Sequence, residues 1–361
     1  MKDLVHGGDI YTERNVSRIV DFSANINPLG LPSSVKQAII DNIDKYSNYP
    51  DPLCRELRKA IAKNEYVGFN NVFCGNGAAD IIFKISLALK PQKALLFSPT
   101  FAEYEESLKV AGCSIKYYEL LEKNKFHIQD DVCDYITSDL DIMFLCNPNN
   151  PTGVPLENAK VLKIVEKCKE NNVVLVVDEC FVDFLEDEDK YSVSRFIEKY
   201  DNLIILKAFT KIYAMAGLRL GYMITSNIDI IDKISRIGQP WSVSTVAAKC
   251  GIAALNEVCY ITKSKRYIKK NREYLMSELR KLNFKVFDSK ANYIFFKSKN
   301  RNLKAELEDY GILIRSCSNY RNLDDRYFRI AVKSTEDNKY FISTLKKLRG
   351  DDSLWGDNVN Y

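Results

Sequence analysis

Lys211 lies in the run Phe209-Thr210-Lys211-Ile212-Tyr213-Ala214-Met215-Ala216-Gly217-Leu218-Arg219-Leu220-Gly221-Tyr222. Upstream are an Asn-Pro-Thr-Gly turn, Asn150 to Gly153, and an apolar run that ends in Asp178-Glu179. A lysine amine bonds an aldehyde cofactor, a carboxylate pairs with the cofactor's ring nitrogen, and Thr210 and Arg219 suit its phosphate. Pyridoxal phosphate chemistry requires that set of groups, so the chain reads first as a pyridoxal phosphate enzyme.

Other residues fit around that centre, each with a plainer reading beside it. Gly75-Asn76-Gly77-Ala78-Ala79-Asp80 opens a helix directly after a strand-like run, Asn71 to Cys74. The amides of Gly77, Ala78 and Ala79 then point at an anion from a helix N-terminus. Taken alone, such a glycine-rich start is an ordinary turn, and only with Thr210 and Arg219 does it read as a phosphate cup. Asp178 ends a strand buried on both faces, where a carboxylate is costly unless paired; a protonated ring nitrogen would pair it, and a helix cap is the alternative. Turn chemistry explains Asn150-Pro151-Thr152-Gly153 without any ligand, yet a turn at a strand's end also aims Asn150 at a cofactor oxygen. Phe101 is a ring to stack on the cofactor, or simply core. In Tyr49-Pro50-Asp51-Pro52, Asp51 reads as the N-cap of a helix with Pro52 in its first turn and Leu53, Leu57 and Ile61 on one face. Arg329, amid apolar neighbours in Tyr327 to Lys333, calls for a carboxylate. A substrate clamp and a structural ion pair both supply one, and Arg315 and Lys333 add charge for a dianion.

The elements that must hold these groups are legible in the pattern. From about Tyr49 to Thr225, amphipathic helices alternate with short, continuously apolar strands, as in a parallel sheet covered on both faces. The expected strands are Lys93 to Ser98, Ile142 to Cys146, Val173 to Asp178, Leu203 to Leu206 and Tyr222 to Thr225, each ending where a motif begins. A charged helical stretch, Tyr260 to Leu282, precedes an α+β block, Phe284 to Leu348. The expected organisation is an N-terminal arm over 1–46 beside a small domain, a large cofactor domain over 47–258, the small domain over 259–350, and a frayed polar tail over 351–361 containing Trp355.

Composition narrows the partners. The 361 residues exceed what a single core usually holds, roughly 250–300 residues. The net charge of +4 comes from interspersed signs, which argues against nucleic acid and for a small-molecule substrate. Ten cysteines fall singly in apolar stretches and read as buried, reduced thiols rather than a disulfide framework or a metal site. With two histidines only, His6 and His127, a histidine triad or imidazole-rich zinc site is nearly excluded. Neither a signal-peptide core nor an apolar run of about 18 residues occurs, so a soluble, cytoplasmic protein with no membrane contact is expected.

Together the motifs resemble fold type I pyridoxal phosphate enzymes of the class I/II aminotransferase superfamily over nearly the whole chain. The resemblance implies an α/β large domain whose mostly parallel seven-stranded sheet lies between helices, plus a smaller α+β domain. It implies a homodimer in which Tyr49 reaches the neighbouring subunit's phosphate, and cofactor-binding roles for Lys211, Asp178, Asn150 and Arg219. Two branches are similar, the histidinol-phosphate aminotransferases and the threonine-phosphate decarboxylases of cobalamin biosynthesis. Likeness to the second lies in His6-Gly7-Gly8, in Asp21-Phe22-Ser23-Ala24-Asn25-Ile26-Asn27-Pro28-Leu29-Gly30, in Gly311 to Arg315 with Cys317-Ser318-Asn319-Tyr320, and in Phe328 to Lys333. Phe181 stands where the aminotransferases typically carry a tyrosine, and Ala208 stands where the family often has a phosphate-binding hydroxyl.

That branch implies decarboxylation of L-threonine O-3-phosphate to (R)-1-amino-2-propanol O-phosphate through a Lys211 Schiff base. Arg329 would hold the carboxylate, and His6, Asn25, Arg315 and Lys333 the rest of a phosphorylated amino acid. Amino-acid transamination, for instance of histidinol phosphate, and O-phosphoserine decarboxylation remain open alternatives. A cofactor-bearing regulator is a third, opposed by the short arm ahead of Tyr49, which has no room for a DNA-binding extension.

Overall fold

The computed structural model describes residues 6–350. The tail over 351–361, with Trp355, lies outside the described residues, as do residues 1–5. Seven strands form the central sheet, in the spatial order 72–75, 221–224, 203–208, 174–178, 142–146, 93–98, 114–119. Gly221–Ile224 runs antiparallel to both its neighbours and every other pairing is parallel.

Burial on both faces explains the unbroken apolar runs. Leu95, Met143, Leu145, Leu175, Val177, Leu203 and Ile205 enter one core, which continues into the C-terminal block. Their alternate neighbours Leu96, Phe144, Val176, Ile204 and Leu206 enter a second core with Ile81, Ile82, Ile85 and Tyr104. Helices Ala78–Leu89, Ala102–Val110 and Asn158–Glu170 make the crossovers between parallel strands. The C-terminal block holds a four-stranded antiparallel sheet in the order 315–316, 327–331, 293–297, 285–286, under Val258–Lys281 and Thr335–Gly350. From the arm, Val20–Asp21 pairs in parallel with Ile312–Leu313, while Ser33–Asp41 packs on Thr245–Ala254.

The expected strands are found with small shifts. They run Val72–Gly75, Val174–Asp178, Leu203–Ala208 and Gly221–Ile224, and the long helix is Val258–Lys281. Ser114–Glu119 was not expected: as an edge strand it is only partly buried and carries no continuous apolar run. The helix start at Asp51 is corrected. The Asp51 carboxylate accepts from the amides of Leu53 at 3.1 Å and Arg55 at 2.7 Å, and Cys54 takes φ +48°, so the helix begins at Arg55. Pro52 therefore sits in a turn, and Leu53 is 51% exposed rather than on the buried face. The cysteines are all free, but Cys259 is exposed and Cys54 and Cys133 are only partly buried.

Candidate active site

A cavity of about 410 Å³ opens at the carboxyl ends of the parallel strands, walled on the far side by the arm and the C-terminal sheet. Ala78, Phe101, Asn150, Asp178, Thr210, Lys211 and Arg219 line it from the large sheet. His6, Asn25, Arg315 and Arg329 close it from the other side. Three expected residues are not among its walls. Gly77 lies just behind the cup, Lys333 faces the charges of Asp21 and Asp337 with its amine pushed down by burial, and Tyr49 is 81% exposed, stacked on Trp241 at 4.8 Å.

Lys211 stands on the short helix Phe209–Ile212, one turn beyond Leu203–Ala208. Burial, then the positive charge of Arg329, pushes its amine down to about 8. A lysine so placed is a nucleophile near neutral pH, which imine formation needs. Its amine lies 5.9 Å from the ring centre of Phe181, which has no hydroxyl to offer there.

Asp178, 5% exposed, ends its strand as expected, but its partners differ from a helix cap. Tyr104 donates its hydroxyl to Oδ2 at 2.6 Å, and the Cys180 amide donates to Oδ1 at 2.9 Å. Sequence reasoning missed Tyr104. The available signal was its place one helical turn after Phe101, which brings the phenol back under the strand ends.

The hollow expected to take a phosphate has a specific shape. Gly77 takes φ +84° at the N-terminus of Ala78–Leu89, and a Cβ there would lie 2.6 Å from Arg219 Nη2. Gly221 lets the Ala78 amide approach within 2.5 Å of where its own Cβ would be. Thr210 is 5% exposed, and Ala208 offers no hydroxyl beside it. Helix amides, a hydroxyl and a guanidinium around one hollow fit a phosphate ester, and the nearby lysine and buried aspartate fit an aldehyde-bearing pyridine ring.

On the substrate side, Arg329 donates through Nη1 to Asn150 Oδ1 at 2.6 Å and through Nη2 to the Ser23 carbonyl at 2.8 Å. Its Nε, like Asn25 Oδ1, is buried with no hydrogen-bond partner among the described residues. These two orphaned groups lie on residues that wall the cavity, as expected where an amino acid's polar atoms are to be met. Arg315 donates to Asn319 Oδ1 at 2.8 Å and sits 5.6 Å from the centre of the Tyr320 ring. The arm is tied in by Ser23, whose Oγ accepts from the Gly8 amide at 2.7 Å, and by His6, whose Nε2 meets Glu103 Oε1 at 2.6 Å. Ser23 and Glu103 were not anticipated; the sequence gives no sign that positions this far apart share one cavity. Among the described residues no group of His, Cys, Asp and Glu could hold a metal ion, and no helix is long and apolar enough to cross a membrane.

The family model described as aminotransferase class I and II matches residues 17–345. The chain is 35% identical over 351 residues to a threonine-phosphate decarboxylase of Salmonella typhimurium, spanning 95% of this chain and 96% of that one. It matches the crystal structure of a histidinol-phosphate aminotransferase from Clostridium acetobutylicum with a TM-score of 0.87 and 33% identity, covering 92% of this chain and all (100%) of that one. It also matches an L-threonine-O-3-phosphate decarboxylase structure from Porphyromonas gingivalis, with a TM-score of 0.83 and 26% identity over 92% of this chain and 100% of that chain.

Proposed function

Because this chain belongs to the aminotransferase class I and II family and is a pyridoxal phosphate enzyme, we propose that its reaction is the decarboxylation of L-threonine O-3-phosphate to (R)-1-amino-2-propanol O-phosphate. The observation that carries this reading is a second group of donors, led by two arginines. Beyond the Arg219 cup, the same cavity is faced by Arg329, Arg315 and His6, enough for a carboxylate and a further phosphate on one substrate. The likeness to the Salmonella typhimurium decarboxylase supports the same choice, and on this reading the product is a precursor in cobalamin biosynthesis.

Bound pyridoxal phosphate supplies an electron sink for the bond broken at the substrate's α-carbon. The protein's own groups decide which bond that is. Arg329 holds the carboxylate; His6 and Arg315 hold the phosphate, with Lys333 adding charge behind the wall and Asn25 offering an acceptor. The Cα–carboxylate bond breaks, carbon dioxide leaves, and Lys211 delivers a proton to the α-carbon in its place. Phe181 brings no hydroxyl to the cofactor's phenolic oxygen, which sets this site apart from the expected aminotransferase pattern. The working form is a homodimer in a cytoplasmic enzyme, with the exposed Tyr49–Trp241 pair at the subunit contact and Tyr49 reaching the neighbour's phosphate cup.

Incubation of pure holoenzyme with O-phospho-L-threonine tests the reaction. Carbon dioxide release with one equivalent of amino-propanol phosphate and no keto acid is the expected result. Turnover of histidinol phosphate that depends on 2-oxoglutarate would replace this reading with transamination, which the likeness to the Clostridium acetobutylicum structure makes the rival. O-phosphoserine differs by one methyl group and is expected to react more slowly by about 10- to 200-fold.

A further inference from the structure

Tyr104 is fully buried, with its ring stacked on Phe144 at 5.1 Å and edge-on to Phe101 at 5.5 Å. As a ring it is core filling that a phenylalanine would supply equally well. Its oxygen is another matter, since a hydroxyl in the apolar cluster around Ile82, Leu96 and Phe144 is unfavourable without a partner. The partner is Asp178 Oδ2 at 2.6 Å. The other carboxylate oxygen is met by the Cys180 amide at 2.9 Å, and Asp178 lines the cavity, where the carboxylate has acceptor capacity left for a ring nitrogen.

We propose that Tyr104 is a positioning residue for the cofactor ring: its hydroxyl locks the Asp178 carboxylate in one orientation and keeps that carboxylate from drawing the ring nitrogen's proton onto itself. A hydrogen bond donated to the charged form of a carboxylate favours that form. With the phenol donating to one carboxylate oxygen at 2.6 Å, the carboxylate is held as an acceptor toward the ring nitrogen, and a ring that keeps its proton there is the one that accepts electrons. The phenol is suited to this because burial, then the neighbouring Asp178 charge, pushes its own ionisation well above the ordinary tyrosine value, so it remains a donor. The thiols of Cys146 and Cys180 are likewise pushed up by burial and then by Asp178, and they bring no competing negative charge. Lys211 is the cation of this group, and Arg329 and Arg219 add to its field. The role holds whether the site decarboxylates or transaminates.

The test uses Tyr104→Phe and Phe144→Leu holoenzymes reconstituted with pyridoxal phosphate labelled with 15N in the ring. In Tyr104→Phe the nitrogen resonance is expected to move toward the unprotonated pyridine position, with kcat lowered on the order of tenfold and KM unchanged, because the hydroxyl meets no substrate. Phe144→Leu removes the packing partner but keeps the hydroxyl, and should leave the resonance in place. The proposal is overturned if Tyr104→Phe matches the wild-type resonance, or if both variants move it alike, since packing alone would then set the ring's state.

Discussion

Among single residues, Lys211 carries the sharpest consequences. Its amine titrates near 8, below the usual lysine value of about 10.4, because burial and the Arg329 charge disfavour the ammonium form. Below that pH the amine is protonated and inert; above it the amine is free. Uptake of pyridoxal phosphate by the apoprotein, followed by absorbance, should therefore accelerate as pH rises through about 8 and then level off. A rise centred near 10 would show an unperturbed lysine. The same depressed value implies that apoprotein stability climbs between about 8 and the unfolded lysine value, since the unfolded chain binds more protons there. Lys211→Ala should retain no cofactor after borohydride reduction, where the wild type retains one per chain, and should lose at least about a thousandfold in kcat. This residue was legible in the sequence because its neighbours state its chemistry in order: the turn at Asn150, the acid at Asp178, the arginine at Arg219.

At the scale of elements, the cup is where backbone shape and function meet. Gly77→Ala adds a methyl group at φ +84°, 2.6 Å from Arg219 Nη2. Backbone strain of about 1–2 kcal/mol combines with displacement of the guanidinium, so cofactor affinity should fall by at least about tenfold while the fold survives. Equilibrium titration of the apoprotein with pyridoxal phosphate measures this, and an unchanged dissociation constant would remove Gly77 from the cup. Strands buried on both faces announce themselves as apolar runs, and their ends fell within two residues of expectation. The edge strand Ser114–Glu119 did not, because one side of its hydrogen bonding and much of its surface face solvent. The Asp51 turn was misread for a related reason: an aspartate that accepts from amides two and four residues on looks the same in sequence whether it caps a helix or makes the turn before one.

The molecule as a whole joins a short arm, a large sheet and a small sheet around one cavity. The join depends on a close approach that sequence could not reveal: Gly311, at φ +71°, lies where a Cβ would come 1.9 Å from the Arg18 carbonyl. Gly311→Ala should part the strand pair Val20–Asp21 and Ile312–Leu313, lower stability by at least about 2 kcal/mol, and expose the arm to protease. Thermal unfolding and limited proteolysis would detect both effects, and an unaltered melting temperature would mean the arm is held elsewhere. Contacts of this kind, like the meeting of Arg329 with Ser23 across 306 positions of chain, belong to the tertiary fold and leave no periodic trace.

That last contact changes how a substrate should be greeted. Arg329 rests through its two terminal nitrogens on the Asn150 side chain and a backbone oxygen, so only its Nε is left without a partner in the buried hollow. A carboxylate arriving at Arg329 would meet the unpartnered Nε and trade places with one of the two stand-ins, so part of its attraction would be offset by the bonds given up. Such an exchange would keep the ground state out of a deep well and leave the advantage for the moment of bond breaking.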